Sequence, residues 1–118
     1  MKLDEDELWD CIETLNWDFD PNYERISKKL QELDREIAIQ IYEFVCEKVG
    51  DVQLKFEDDW LGDPGIDVSD DGWSDLTNEV VGRGREFYEK IDVECLQGMA
   101  DSNNYYENFG YSFQFLYD

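Results

Sequence analysis

The sequence predicts a mainly α-helical protein: a single compact acidic domain over residues 1–118, built from about five to six helices. Two observations lead to this prediction. Apolar residues recur at intervals of three and four along most of the chain, which is the period of an amphipathic helix. The hydrophobic fraction is 42% and the aromatic fraction 15%, so the chain has enough buriable side-chain area to form a core despite its charge.

The first two predicted helices both have start signals. Asp4 and Glu7 have the spacing of a capping box, and the helix that follows is expected over about residues 5–15. Its apolar stripe consists of Leu8, Ile12 and Leu15. Pro21 after Asp20 predicts the first position of a second helix. The stripe of that helix consists of Tyr23, Ile26, Leu30 and Leu33.

The third predicted helix begins after Asp34 and is apolar over much of its circumference, which predicts a central position in the fold. Its apolar residues are Ile37, Ile41, Phe44, Val45 and Val49. Gly50 is expected to end it. Residues 52–56 alternate between apolar and polar side chains, which leaves open a short strand or a further turn of helix, because five residues cannot distinguish the two periods.

The second half of the chain begins with a loop over residues 62–65, predicted by its turn chemistry, and continues with a helix capped by Ser69 or Asp70. The shared face of this helix consists of Trp73, Leu76, Val80, Phe87 and Ile91. Gly82 and Gly84 interrupt it, and each costs about 1 kcal/mol relative to alanine, so we expect another helix or ring to approach closely there.

The end of the chain is less clearly patterned. Residues 99–104 predict a polar loop. The aromatic tail, residues 105–118, fits a helix through one set of rings and a strand through another, so both alternatives stay open.

The charge is the most unusual property of the sequence. The chain has 31 Asp and Glu, 10 Lys and Arg and no His, for a net charge of −21. Such a surface repels nucleic acid and anionic membranes and attracts basic protein surfaces. The start of the chain lacks the apolar segment of a signal peptide, and no segment has the length of a membrane span, so we expect a cytoplasmic protein.

The sequence contains little catalytic chemistry. Without histidine, a Ser-His or Cys-His nucleophile is excluded. Cys11, Cys46 and Cys95 form no CxxC pair, and we expect them to be small core residues in a reducing compartment. Residues 82–85 lack the spacing of a phosphate-binding loop. Their two arginines are instead expected to neutralise nearby acids, namely Glu79, Glu86 and Glu89.

One segment partly matches a calcium-binding loop. Residues 67–72 have oxygen donors at alternate positions and Gly72 at the sixth, as at the opening of an EF-hand loop. The eighth position is Ser74 and the twelfth is Asn78, where the loop requires an apolar residue and a bidentate glutamate. We therefore expect an acidic helix start with capping carboxylates, and neither a metal site nor a cofactor.

The sequence analysis selects one candidate docking face. Between Phe56 and Gly82 the chain has no lysine or arginine, and its acidic residues surround two tryptophans. Exposed aromatic residues inside a charged rim are typical of binding hot spots. The predicted docking residues are Asp58, Asp59, Trp60, Asp63, Asp67, Asp70, Asp71, Trp73 and Asp75.

Three segments resemble a bacterial family known only as domain of unknown function 4240. They are Leu8-Trp9-Asp10-Cys11-Ile12-Glu13, Val68-Ser69-Asp70-Asp71-Gly72-Trp73 and the run from Val81 to Glu89. The family has a similar opening helix, a serine-aspartate-aspartate-glycine turn and a helix resembling Gly84 to Tyr88. The resemblance implies a bacterial origin and a helical tail over residues 107–117, and it brings no catalytic residues. Gly82 and the aromatic tail depart from the family pattern.

The size, charge and lack of catalytic groups lead to one main functional hypothesis. It is an immunity or inhibitor protein that binds a basic bacterial toxin, a nuclease, and occludes its active site, with no direct contact to nucleic acid. The first alternative is a DNA mimic that blocks a DNA-binding or defence protein, which requires carboxylates spaced like phosphates on an elongated surface. The second alternative is a metal-dependent enzyme of unknown substrate.

Overall fold

A computed structural model of the chain describes residues 2–63, 65–103, 105 and 109–117. These residues form α-helices and one 3₁₀ helix, and none of them lies in a strand, which confirms the predicted mainly α-helical class. The elements in chain order are α1 (Glu5–Thr14), α2 (Tyr23–Gln31), α3 (Arg35–Lys55), α4 (Glu57–Leu61), α5 (Asp70–Gly82), α6 (Arg85–Lys90), α7 (Val93–Asp101) and the 3₁₀ helix Phe109–Tyr117. The molecule measures 45 × 25 × 25 Å.

The predicted start of α1 is confirmed, and that of α2 is shifted. The Asp4 carboxylate accepts a hydrogen bond from the Glu7 backbone N–H at 2.8 Å, and the Glu7 carboxylate accepts one from the Asp4 N–H at 3.3 Å. Pro21, expected at the first position of α2, instead precedes its cap. Asn22 is the cap, because its side-chain oxygen accepts from two backbone N–H groups of the first turn.

Helix α3 is longer than the sequence predicts. It continues through Gly50 to Lys55, so the predicted end at Gly50 is wrong, and residues 52–55 belong to the helix instead of a strand. Val49 and Val52 are both buried in the continued helix. The free energy gained by burying them outweighs the cost of placing Gly50 inside a helix. Phe56 ends α3 and begins α4, a single acidic turn that the helical pattern did not predict.

The helix predicted across Gly82 and Gly84 is two helices. Gly84 has φ +106°, a conformation that favours glycine, and it separates α5 from α6. Helix α7 occupies part of the predicted polar loop, since it extends to Asp101. Residues 109–117 of the tail form a 3₁₀ helix, so the strand alternative is wrong there, while residues 104, 106–108 and 118 lie outside the described part of the chain.

Two hydrophobic clusters form the core, and α5 contributes to both. The first cluster contains the buried faces of α1, α2 and the first part of α3, packed against Phe109 and Phe113. The second contains the end of α3, the core residues of α7 and Trp73, Leu76 and Val80 of α5. Val81 of α5 belongs to the first cluster. Helix α5 therefore joins the two parts of the core.

A buried carboxylate fixes α5 in this position. Glu79 is 1% exposed, and its two carboxylate oxygens have different partners. Trp17 donates its indole N–H to Oε1 at 2.8 Å, and the Arg83 Nε lies 2.7 Å from Oε2. The Arg83 guanidinium also lies over the Phe87 ring at 4.9 Å. The expected neutralisation of Glu79 by an arginine is confirmed, and it satisfies a charge that would otherwise be costly to bury.

Glycines 50 and 82 give a matched test of this packing. An added Cβ at Gly50 meets no atom within 4 Å, whereas at Gly82 it would lie 2.9 Å from Trp17 Cδ1 and 3.1 Å from Phe109 Cγ. We expect Gly50→Ala to raise the free energy of unfolding by about 0.5–1 kcal/mol. We expect Gly82→Ala to lower it by about 1–3 kcal/mol, because the two rings must shift. Urea denaturation measures both, and changes of the same sign would contradict the packing described.

Glu79→Ala tests the buried ion pair. It leaves the Trp17 indole N–H and the Arg83 guanidinium without their carboxylate, and we expect a loss of about 3–5 kcal/mol in the free energy of unfolding. Glu86→Ala is the control, since the exposed Glu86 pairs with the exposed Lys90 at 2.8 Å and should contribute little. Equal losses in urea denaturation of the two variants would show that burial does not distinguish these carboxylates.

Candidate functional site

The predicted docking carboxylates lie on α4, on the connection to α5 and on the first turns of α5. We call this set the acidic face, and it consists of Asp58, Asp59, Asp63, Asp67, Asp70, Asp71 and Asp75. All are exposed except Asp75, which is half-buried. Asp58 and Asp59 occupy the first turn of α4, and Asp70 and Asp71 that of α5, where negative charge is favoured by the helix dipole.

Two stacked tryptophans bring the two acidic helix starts together. The rings of Trp60 on α4 and Trp73 on α5 lie 5.1 Å apart between centroids with an interplanar angle of 6°. The Trp60 indole N–H donates to the Val68 carbonyl at 3.1 Å, and the Ile66 N–H donates to the Asp59 carbonyl at 3.0 Å. The connection between the helices is therefore fixed to α4 by hydrogen bonds as well as by ring contact.

The expected role of the tryptophans as exposed contact residues is wrong for Trp73. Trp73 is only 5% exposed and packs in the second hydrophobic cluster, and Trp60 is half-buried against the same cluster. Their ring area is used between α4 and α5, where mutual stacking removes it from water. The tryptophans position the acidic face instead of projecting from it.

Two exposed leucines that the sequence analysis did not select lie close to this face in sequence. Leu61 of α4 is 66% exposed, and Leu54 at the end of α3 is 76% exposed. The sequence did contain a sign that these leucines are exposed. Both positions fall outside the apolar series at residues 52, 56 and 60, which faces the core. The signal was missed because residues 52–56 were ambiguous between helix and strand.

The acidic face lies in a segment without basic residues, from Phe56 to Gly82. Elsewhere, some carboxylates pair with basic side chains, as in Arg25–Asp20 at 2.9 Å, Arg85–Asp6 and Arg85–Glu89 at 3.7 Å. Within the described ranges, the six exposed carboxylates of the acidic face take part in no ion pair; these are Asp58, Asp59, Asp63, Asp67, Asp70 and Asp71. Their mutual repulsion is reduced only by solvent and salt.

The segment that resembles a calcium loop is the start of α5. The Ser69 hydroxyl accepts a hydrogen bond from the Gly72 N–H at 3.1 Å, so Ser69 is the cap and Asp70 begins the helix. Nowhere in the described part of the chain do three or more histidine, cysteine or carboxylate side chains form a group suited to a metal ion.

The cysteines are less buried than expected. Cys46 is exposed, so the prediction of a core thiol is wrong there, while Cys11 and Cys95 are half-buried and pack against the first and second hydrophobic clusters. Partial burial raises the pKa of all three thiols, and nearby carboxylates raise it further: Asp10 and Glu7 for Cys11, Glu43 for Cys46 and Asp92 for Cys95. A raised pKa lowers the thiolate fraction at neutral pH, so these thiols are weak nucleophiles.

Comparison with known proteins adds no relative, since no family model, curated protein or solved structure matches the chain. The resemblance to domain of unknown function 4240 stays a prediction. Of the helices in the described ranges, none combines the length and apolar character needed to cross a membrane.

Proposed function

We propose that this protein is an inhibitor, of the immunity-protein type, that binds a basic bacterial toxin and occludes its active site. The observation that carries the proposal is the acidic face, with six exposed carboxylates unpaired by any described basic residue. A cationic partner would relieve the repulsion among these carboxylates and gain charge-assisted hydrogen bonds to them.

A nuclease is the kind of toxin that this face suits best. A nuclease binds its substrate through lysine and arginine side chains that contact phosphates. Carboxylates held on α4 and α5 would occupy those side chains in place of phosphates and so exclude the nucleic acid. Because the tryptophan stack and the Val68 and Asp59 backbone bonds fix the face in advance, little ordering would be needed on binding.

One observation favours the DNA mimic as a second candidate. The molecule is elongated, and α3 presents Glu43, Glu47 and Asp51 at successive positions four residues apart. A helix rises about 6 Å over four residues, which gives a regularly spaced row of three carboxylates, although the Lys48 Nζ lies 4.0 Å from Asp51 Oδ2. A mimic of this kind would bind host DNA-binding proteins through α3, whereas the inhibitor binds one toxin through α4 and α5, so the location of the interface separates the two candidates.

The test is capture of a basic partner by the immobilised protein, followed by measurement of association rates. We expect the combined variant Asp58→Asn, Asp59→Asn, Asp63→Asn and Asp67→Asn to associate with the captured partner at least about tenfold more slowly at low salt. The difference should shrink as salt is raised, because screening acts on the same charges.

The control variant changes the same number of charges elsewhere on exposed positions: Asp10→Asn, Glu24→Gln, Glu32→Gln and Glu94→Gln. It has the same net charge as the test variant, so a general loss of attraction would slow both equally. Equal rates for the two variants would contradict a docking role for the acidic face. Retention of toxin activity in the presence of the wild-type protein would contradict inhibition.

A further inference from the structure

A groove runs along one side of α3, between this helix, α1 and the segment that precedes α1. Its volume is about 860 Å³, which lies within the range of about 300–1,000 Å³ that is typical of small-molecule sites. The Leu3 backbone N–H donates to Gln40 Oε1 at 2.8 Å, and this hydrogen bond holds the segment before α1 against α3. One wall of the groove is therefore fixed by a specific contact.

The floor of the groove is apolar and consists of Leu3, Leu8, Ile39 and Phe44. Phe44 is buried, Leu3 and Leu8 are half-buried, and Ile39 is 37% exposed. Helix α3 is continuous from Arg35 to Lys55, so the lining positions 39, 40, 43, 44 and 47, spaced by three and four residues, share one side of it. From position 39 to position 47 this side is about 12 Å long, because a helix rises about 1.5 Å per residue.

Two exposed carboxylates lie beside this floor, and they favour a cation. Glu43 and Glu47 are one turn apart on α3, and within the described ranges neither takes part in an ion pair. Lys48, which follows Glu47, pairs elsewhere, since its Nζ lies 3.9 Å from Glu5 Oε1 and 4.0 Å from Asp51 Oδ2. A cationic group between the two carboxylates would relieve their repulsion, while an apolar chain attached to it covers the floor.

The remaining charges in the lining are of both signs. Arg35 and Glu36 lie in the first turn of α3, and Lys2 lies in the segment before α1. The Arg35 guanidinium donates to the Leu116 carbonyl at 2.7 Å, so part of its hydrogen-bonding capacity is already used. Because the molecule has a net charge of −21, an anionic ligand would also be repelled as it approaches.

We propose that this groove binds a small cationic amphiphile, an alkyl- or arylamine. Its ammonium group pairs with Glu43 and Glu47, and its apolar part covers Leu8, Ile39 and Phe44. A second copy of the chain does not suit the groove, because two molecules that each have a charge of −21 repel one another. The groove and the acidic face lie on different helices, so this inference goes beyond the proposed function and does not depend on it.

Three probes separate the charge from the apolar contact. Decylammonium has both a cationic group and an apolar chain, methylammonium lacks the chain, and decyl sulfate has the same chain with the opposite charge. We expect the wild-type protein to bind decylammonium at least about tenfold more tightly than either of the others, because only decylammonium pairs with the carboxylates and also buries apolar surface. Isothermal titration calorimetry below the micelle-forming concentrations measures the three dissociation constants.

The variant Glu43→Gln with Glu47→Gln tests the charge contribution. We expect it to bind decylammonium at least about tenfold more weakly than the wild type, because the two carboxylates that pair with the cation are gone. Glu24→Gln with Glu94→Gln is the matched control, since it removes the same charge from exposed positions outside the groove and should keep the wild-type affinity. Thermal unfolding of each variant verifies the fold.

The variant Ile39→Gln tests the apolar contact. It places a polar amide on the floor of the groove, and we expect it to reduce the preference for decylammonium over methylammonium at least about threefold. Leu54→Gln is the matched control, since Leu54 is exposed on the same helix but does not line the groove, and it should keep the full preference.

Three results would overturn the inference. The first is binding of decyl sulfate as tight as that of decylammonium. The second is a groove variant that behaves like its matched control, because the ligand would then bind elsewhere on the surface. The third is a dimer in size-exclusion chromatography together with weaker decylammonium binding as the protein concentration rises, because a second copy would then cover the groove. Each of these results leaves the proposed function standing, since the acidic face lies on α4 and α5.

Discussion

The contact between Glu79, Trp17 and Arg83 is the interaction on which the arrangement of this protein depends. It ties the last turn of α5 to the loop after α1, and so to the first hydrophobic cluster, while Trp73 near the start of α5 packs in the second. The same helix displays Asp70 and Asp71 in its first turn, where they meet no basic side chain among the described residues. Carboxylates that repel one another can stay on a fixed surface only if the helix that bears them is held strongly elsewhere.

The use of the few basic residues explains where the unpaired charge collects. Arg83 is committed to the buried Glu79, and Arg85 connects α6 to α1 through Asp6. Arg25 pairs with Asp20, and Lys48 lies over the rings of Phe44 and Tyr88. These positive charges stabilise contacts around the first cluster and α6. The segment from Phe56 to Gly82 contains no basic residue, and its six exposed carboxylates on the acidic face pair with no basic side chain of the described residues, so their charge is screened by salt.

Much of the fold could be predicted from the sequence because its signals are local. The Asp4 capping box, the central position of α3 and the close contact at Gly82 follow from spacing and residue type. The predictions failed where tertiary packing overrides local preference. Burial of Val52 continues α3 past Gly50, and the positive φ of Gly84 divides one apolar stripe between two helices. Trp73 was expected to be exposed because a charged segment surrounds it, and only the three-dimensional contact with Trp60 shows where its ring packs.

The acidic face is proposed as the surface that binds a cationic partner, and amide chemical-shift mapping tests this location most directly. The isotope-labelled protein would be titrated with a lysine-rich peptide at low salt while backbone amide signals are followed. We predict that the largest shift changes fall on residues 57–71, which include α4 and the start of α5. Largest changes on α1 and α2, or changes spread evenly over the acidic surface, would contradict a defined docking face and leave the charge as a general property of the molecule.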